Sequence, residues 1–258
     1  MSLSLSITVV VALGFAPPLL WLWFWLKEDA RPEPRKEIMI VFLAGMAMVL
    51  VAYIAQALAA WLLLIIDRGS ISLSESLAMR PSYQTYSASV RIIAIIGFAL
   101  IEELAKFGAA FFTALHSKYF DEPVDAMIYV MTASLGFAAL ENALFISQAA
   151  HQIQEALVVG AFRFANAVLI HASTGAIIGA GFAFSFCKQG SRVGYALLSL
   201  GAATAVHGIY NFFVLAGLDN PAYQSRATIT VIGGAVIALL LFERAQRLRA
   251  RCENEIIA

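Results

Sequence analysis

Long apolar runs alternate with short polar joints along the whole chain. The first run covers residues 3–26 without an internal charge and stops at Lys27, Arg31, Arg35 and Lys36. Six more follow at about residues 38–66, 90–115, 125–150, 161–186, 193–217 and 222–242. Each is long enough for a helix to cross a bilayer, which takes about 20 residues, and too long for a barrel strand. A backbone in lipid must satisfy its own hydrogen bonds, so these runs predict helices. The first run lacks the positive start, short apolar core and small-residue cleavage site of a signal peptide and is expected to remain as a span. Pro17 and Pro18 lie inside it and are expected to kink it. Residues 67–89, rich in serine, read as an exposed loop. With no internal repeat and no domain linker, the pattern predicts an all-α, polytopic membrane protein. About seven transmembrane helices would form a single integral membrane domain over residues 1–258.

Composition agrees with that pattern. The 258 residues are 61% hydrophobic and only 13% charged, about half the charged fraction of a soluble domain, which is about 25%. Seventeen basic residues balance seventeen acidic ones, so the basic excess of a nucleic-acid binder is absent and no nucleic-acid partner is expected. The partners implied are the lipid bilayer and other membrane proteins. Cys187 and Cys252 are the only cysteines and form no CxxC or Cys/His cluster, so neither a disulfide framework nor a thiolate metal site is signalled. With the N-terminus outside, the inner segments carry eleven Lys and Arg and the outer ones four: Arg68, Arg80, Arg91 and Arg226. The positive-inside rule therefore places the C-terminus in the cytoplasm of a multi-pass protein of the cell membrane. Both cysteines then fall on the reducing side.

Several polar residues fall inside the apolar runs. Glu102, Glu103 and Lys106 share the third, Glu141 and Asn142 lie in the fourth, Arg163, Asn166 and His171 in the fifth, and His207 and Asn211 in the sixth. An ionised group at the bilayer centre costs roughly 2.5–3.5 kcal/mol on insertion scales. Lys106 is four residues after Glu102 and three after Glu103, so all three share a helix face. One positive charge holds one carboxylate ionised and leaves the second with general acid–base character. His207 and Asn211 also share a face, four residues apart. At 1.5 Å per residue, Glu102 lies roughly 18 Å below residue 90 and His171 roughly 15 Å below residue 161. Glu141 and His207 lie roughly 24 and 21 Å from the inner ends of their runs, so all four reach the middle or outer half of the membrane. A lone Glu–Lys pair, or an asparagine acting as interhelical glue, would be structural. The whole set at matching depths points to one polar site.

These segments resemble a known family. Ile101-Glu-Glu-Leu-Ala-Lys106-Phe, Gly136-Phe-Ala-Ala-Leu-Glu141-Asn142, the stretch from Arg163 to His171, and His207-Gly-Ile-Tyr-Asn211 occur in the order found in the PrsW intramembrane proteases. Asp121-Glu-Pro-Val-Asp125 also fits. The motif core spans about residues 101–212. More distant relatives are the CAAX prenyl endopeptidases and bacteriocin-immunity-like membrane proteases, which usually carry an arginine at a longer spacing after the paired Glu. The resemblance implies an endopeptidase that cuts membrane-anchored protein substrates, an anti-sigma factor in one setting, by site-1-type cleavage near the outer membrane face. It carries catalytic importance to Glu102, Glu103 and His171, with His207 matching a further motif position.

Two mechanisms follow. In one, His171, His207 and a glutamate, Glu103 or Glu141, bind zinc while Glu102 is the base, a two-His, one-carboxylate set known for catalytic zinc. In the other, no metal is present. Glu102 activates water, and His171, His207 and Asn211 donate to the developing oxyanion. Lys106 orients or neutralises a glutamate in both, and Arg163 pairs with Glu141 or steadies a substrate carbonyl. No HExxH is present. Two readings from other classes use the same residues: a proton-coupled transporter with a Glu/Lys relay, and a noncatalytic membrane binding protein. Transporters commonly show repeated halves, which this chain lacks.

Overall fold

A computed structural model describes residues 3–72, 74–76, 86–186, 192–220 and 222–257. Its main elements are eight helices: α1 (Leu3–Glu28), α2 (Arg35–Arg68), α3 (Ala88–Thr113), α4 (Pro123–Ala149), α5 (Ile153–Ala165), α6 (Ala167–Ser185), α7 (Arg192–Asp219) and α8 (Ala222–Ile257). Among the described residues, six helical stretches are long and apolar enough to cross a membrane, α5 and α6 counting together as one. The third expected run is helix α3, which has the length of a span at 26 residues but carries Arg91, Glu102, Glu103 and Lys106. Helix α1 continues through Pro17 and Pro18. Cys187 lies outside the described residues.

One expectation is corrected. The fifth run was expected as an unbroken helix over about residues 161–186, but the helix starts at Ile153 and is interrupted at Asn166. Asn166 has φ −122° and ψ −62°, and its side-chain amide donates to the Phe162 carbonyl at 3.1 Å. A short polar side chain that bonds nearby backbone competes with regular helix in this way. The other end of that amide accepts from the Thr228 hydroxyl of α8 at 3.1 Å, which ties the break to a neighbouring helix.

Helix α4 is the axis of the bundle. Its apolar window is 94% buried, against 22–33% for α1, α2, α7 and α8. It packs against α1, α2, α3, α5, α6 and α8. Close approach to α2 depends on two glycines. A Cβ at Gly136 would lie 2.0 Å from the Phe42 carbonyl oxygen, and one at Gly45 would lie 2.0 Å from that of Ala133. The outer helices turn large apolar side chains outward, among them Tyr53 (68% exposed), Phe112 (84%) and Leu198 (73%). Such a surface suits lipid rather than water.

Side-chain contacts tie the helix ends into two sets. At one end, Arg31 pairs with Glu122 at 2.9 Å, Glu33 accepts from the Tyr129 hydroxyl, and Gln246 donates to the Glu28 carbonyl at 2.7 Å. The α1–α2 joint, the start of α4 and the later part of α8 therefore lie together. At the other end, the Ser6 hydroxyl reaches the Ala150 carbonyl at 3.2 Å. This up-and-down threading is the one that the charge count presupposes.

Candidate active site

Five helices bring polar side chains to one buried place, and a sixth, α2, reaches its edge through Gln56. Helix α3 supplies Glu102, Glu103 and Lys106; α4 supplies Glu141 and Asn142; α5 supplies Arg163; α6 supplies His171 and Thr174; α7 supplies His207. Lys106 and Glu103 are fully buried. As an ammonium, Lys106 directs Nζ to Glu103 Oε1 at 2.5 Å, Thr174 Oγ1 at 3.1 Å and His171 Nδ1 at 3.2 Å. These three contacts match its three N–H donors, which is what a buried lysine requires.

That arrangement fixes the histidine tautomers. His171 accepts at Nδ1 from the lysine, so its proton sits on Nε2, which donates to Glu141 Oε2 at 3.1 Å. His207 Nδ1 is 2.6 Å from Glu103 Oε1 and donates to it. Its other ring nitrogen, Nε2, faces Glu102 Oε2 at 3.6 Å. That carboxylate oxygen is buried and has no hydrogen-bond partner among the described residues, while Glu102 Oε1 accepts from Gln56 Nε2 of α2 at 2.9 Å. Donor atoms of Glu102, His171 and His207 all lie within 4.8 Å of one another, and a carboxylate with two imidazoles is a donor set suited to a divalent metal.

The geometry redistributes the expected roles. Glu103, expected as a metal ligand, has Oε1 engaged by both Lys106 and His207, while its Oε2 is buried with no hydrogen-bond partner among the described residues; the donor group that lies within 4.8 Å holds Glu102 with the two histidines. Glu103 thus meets His207 at Nδ1, the ring nitrogen away from Glu102. Arg163 pairs with Glu141 through NH2 and donates from Nε to Asn142 Oδ1 at 2.5 Å. Asn211 is half-buried one turn beyond His207. Gln56 and Thr174 were not anticipated. The sequence signal for Gln56 was a lone amide midway along an apolar helix, and for Thr174 a hydroxyl three residues after His171.

Comparison with known proteins settles what kind of protein carries this site. The PrsW family intramembrane metalloprotease model matches residues 33–242. The chain belongs to the PrsW family. It is 28% identical to Protease PrsW of Geobacillus kaustophilus over 209 residues, 80% of each chain. It is 31% identical to Protease PrsW of Bacillus subtilis over 51% of this chain and 57% of the relative. Protease PrsW of Oceanobacillus iheyensis is 30% identical over 66% of this chain and 72% of its own. No solved structure matches. As a PrsW-family chain with six long apolar helical stretches among its described residues, the protein is a multi-pass membrane peptidase, and the transporter and binding-protein readings give way. The family's description as a metalloprotease agrees with the Glu102, His171 and His207 group.

Proposed function

We propose that this PrsW-family protein cuts a membrane-anchored protein substrate near the outer membrane face with the help of zinc held by Glu102, His171 and His207. The observation that carries this reading is the gathering of donor atoms from Glu102, His171 and His207 within 4.8 Å of one another, with Glu102 Oε2 and His207 Nε2 3.6 Å apart. Bound there, zinc would polarise the scissile carbonyl and acidify water. The rest falls to the chain. Glu103 keeps His207 in the tautomer that presents Nε2. Ligation by His171 Nε2 would require the ring proton to sit on Nδ1 instead, so the Nε2 proton leaves for solvent by way of Glu141, 3.1 Å away, Lys106 supplies one to Nδ1 at 3.2 Å, and Glu141 is left as a carboxylate. Glu141 is the most exposed of the site carboxylates, its side chain 18% accessible against 12% for Glu102 and 0% for Glu103. It takes the proton of the attacking water and returns it to the leaving amine, with Arg163 balancing its charge. Asn211, one turn past His207, steadies the substrate. Cleavage at this depth suits a site-1 step in transmembrane signalling, with an anti-sigma factor as the type of substrate.

The test uses purified protein in detergent and a single-span reporter. Glu102→Gln, His171→Ala and His207→Ala are each expected to lower cleavage by about 10²-fold or more. Zinc content should be near one per chain and fall in each variant. Chelation should abolish cleavage, and added zinc should restore it. Full activity in metal-free protein would instead assign water activation to Glu102 alone, whose Oε2 has no hydrogen-bond partner among the described residues.

A further inference from the structure

Arg163 enters the site from α5, a 13-residue helix that buries only Ala156 and Gly160. Gly160 packs on α1, where a Cβ would come within 2.7 Å of Leu13. So narrow a packed face leaves the placing of Arg163 to what its side chain grips. Three residues on one face of α4 take hold of it: Glu141, Asn142 and Phe145. NH2 pairs with Glu141, Nε donates to Asn142 Oδ1 at 2.5 Å, and the guanidinium carbon stands 4.2 Å from the centre of the Phe145 ring.

A guanidinium is planar, with five N–H donors in fixed directions. Carboxylate, amide and ring together hold that plane, and they leave NH1 over. NH1 has no hydrogen-bond partner among the described residues, and it is not among the enclosed unpaired atoms of the site, which include Asn142 Nδ2. The Arg163 side chain keeps 13% of its surface accessible. The site's other cation, Lys106, is fully buried and spends its donors on Glu103, Thr174 and His171. NH1 is thus the charged edge that a substrate can reach. An anion there would also meet the Glu141 carboxylate, which already balances the guanidinium. An uncharged acceptor meets no such opposition, and every residue of an extended peptide offers one in its carbonyl. Glu141 Oε2 also lies 3.1 Å from His171 Nε2, so a carbonyl on NH1 would stand one carboxylate away from the Glu102, His171 and His207 group.

We propose that Arg163 is a substrate-binding residue, whose NH1 edge donates to a backbone carbonyl of the chain to be cut, and that Phe145 is a positioning residue, whose ring keeps that edge turned towards the peptide. This rests on the reading of Glu102, Glu141 and His171 as part of the catalytic site, beside which the gripped carbonyl holds the scissile bond. One edge of the guanidinium then balances Glu141, and the other holds the substrate.

The test measures peptide binding by fluorescence anisotropy in detergent micelles, with the full chain carrying Glu102→Gln so that nothing is cut. The probe is a fluorescein-labelled peptide with one Leu/Ala span of roughly 23 residues and an extended Gly/Ala/Ser segment at its outer end. In a series of such peptides each carbonyl of that segment becomes in turn a thioamide, a weaker acceptor. One position is expected to raise Kd about tenfold, the loss of a hydrogen bond from a charged donor. Arg163→Lys keeps a positive charge beside Glu141 but has no second edge. It should raise Kd for the parent peptide about tenfold, and the same thioamide should then change Kd by less than about twofold. Phe145→Leu should raise Kd about threefold, and Phe145→Tyr, which keeps a ring face, should restore it. The thioamide series alters the peptide alone, so misfolding cannot imitate its result. The proposal is overturned if Arg163→Lys binds the parent peptide undiminished, if no thioamide distinguishes the two chains, or if the peptide binds neither. Equal weakening by Phe145→Leu and Phe145→Tyr removes the ring from it. Reporter cleavage by the unmodified protein is followed separately. Cleavage without the thioamide coupling leaves the protease reading standing and removes the grip of Arg163; coupling without cleavage does the reverse.

Discussion

At the scale of single residues, Lys106 is the keystone of the polar site. Fully buried, it touches Glu103, Thr174 and His171, so it joins α3 to α6 and, through Glu103, to His207 of α7. Removing one partner of a buried pair leaves an uncompensated charge and costs about 3–5 kcal/mol. Lys106→Met is therefore expected to destabilise the protein by about that amount, measured by unfolding in mixed detergent micelles. Glu103→Gln added to Lys106→Met removes the stranded charge and keeps an acceptor for His207, so the double variant should recover much of the loss. A double variant as unstable as the single would show that Glu103 is not ionised beside Lys106. The Glu102, Glu103 and Lys106 face was legible in the sequence because three and four residue spacings dictate it. Which glutamate meets His207 and which meets Gln56 was not, since that depends on how α3 is rotated against α2 and α7.

At the scale of elements, the apolar runs foretold the helices well because a lipid-embedded backbone has few alternatives. They could not foretell the break at Asn166, which depends on Thr228 of another helix, nor that Ile153 begins the fifth run. The α2–α4 contact, also invisible to hydropathy, is where an element-level test belongs. Gly136→Ala would put a methyl 2.0 Å from a backbone oxygen that cannot swing aside. Overpacking of this sort costs about 1–3 kcal/mol. Because α2 carries Gln56 and α4 carries Glu141, Gly136→Ala should lower both the melting temperature and reporter cleavage. An unchanged melting temperature would mean that the two helices are not in this close contact.

The α1–α2 joint offers a pH test at the same scale. Burial raises the Glu33 carboxyl above its ordinary 4.5, with Asp121 and Asp29 adding repulsion against the hydrogen bonds from Tyr129 and Asp125. The fold therefore favours the protonated form. Its stabilising contribution is complete below pH 4.5 and is lost as pH rises through the raised value. Melting temperatures measured from pH 4 upward should fall more steeply for the unmodified protein than for Glu33→Gln, which has no proton to lose. Parallel curves for the two would remove Glu33 as the cause.

At the scale of the whole molecule, the question is which end of the bundle faces out. The contacts among Arg31, Glu122, Glu28 and Gln246 gather the α1–α2 joint, the start of α4 and the later part of α8 at one end. That end includes most of the basic residues of the joints, among them Lys27, Arg35 and Lys36, and the positive-inside rule predicts that it is cytoplasmic. The opposite end, with Ser6 beside Ala150, then faces out. Glu141 lies near that end of α4, eight residues before the helix stops at Ala149, so an outward-facing end brings the site towards the outer surface. Cys187→Ser and Cys252→Ser provide a background for single cysteines at two exposed positions, Gln152→Cys in the α4–α5 joint and Lys118→Cys in the α3–α4 joint. On intact cells a membrane-impermeant maleimide is expected to label Gln152→Cys and spare Lys118→Cys, with both labelled once the membrane is opened. The reverse pattern would turn the molecule over, placing Glu141 nearer the cytoplasm and moving the cut from the outer face to the inner one.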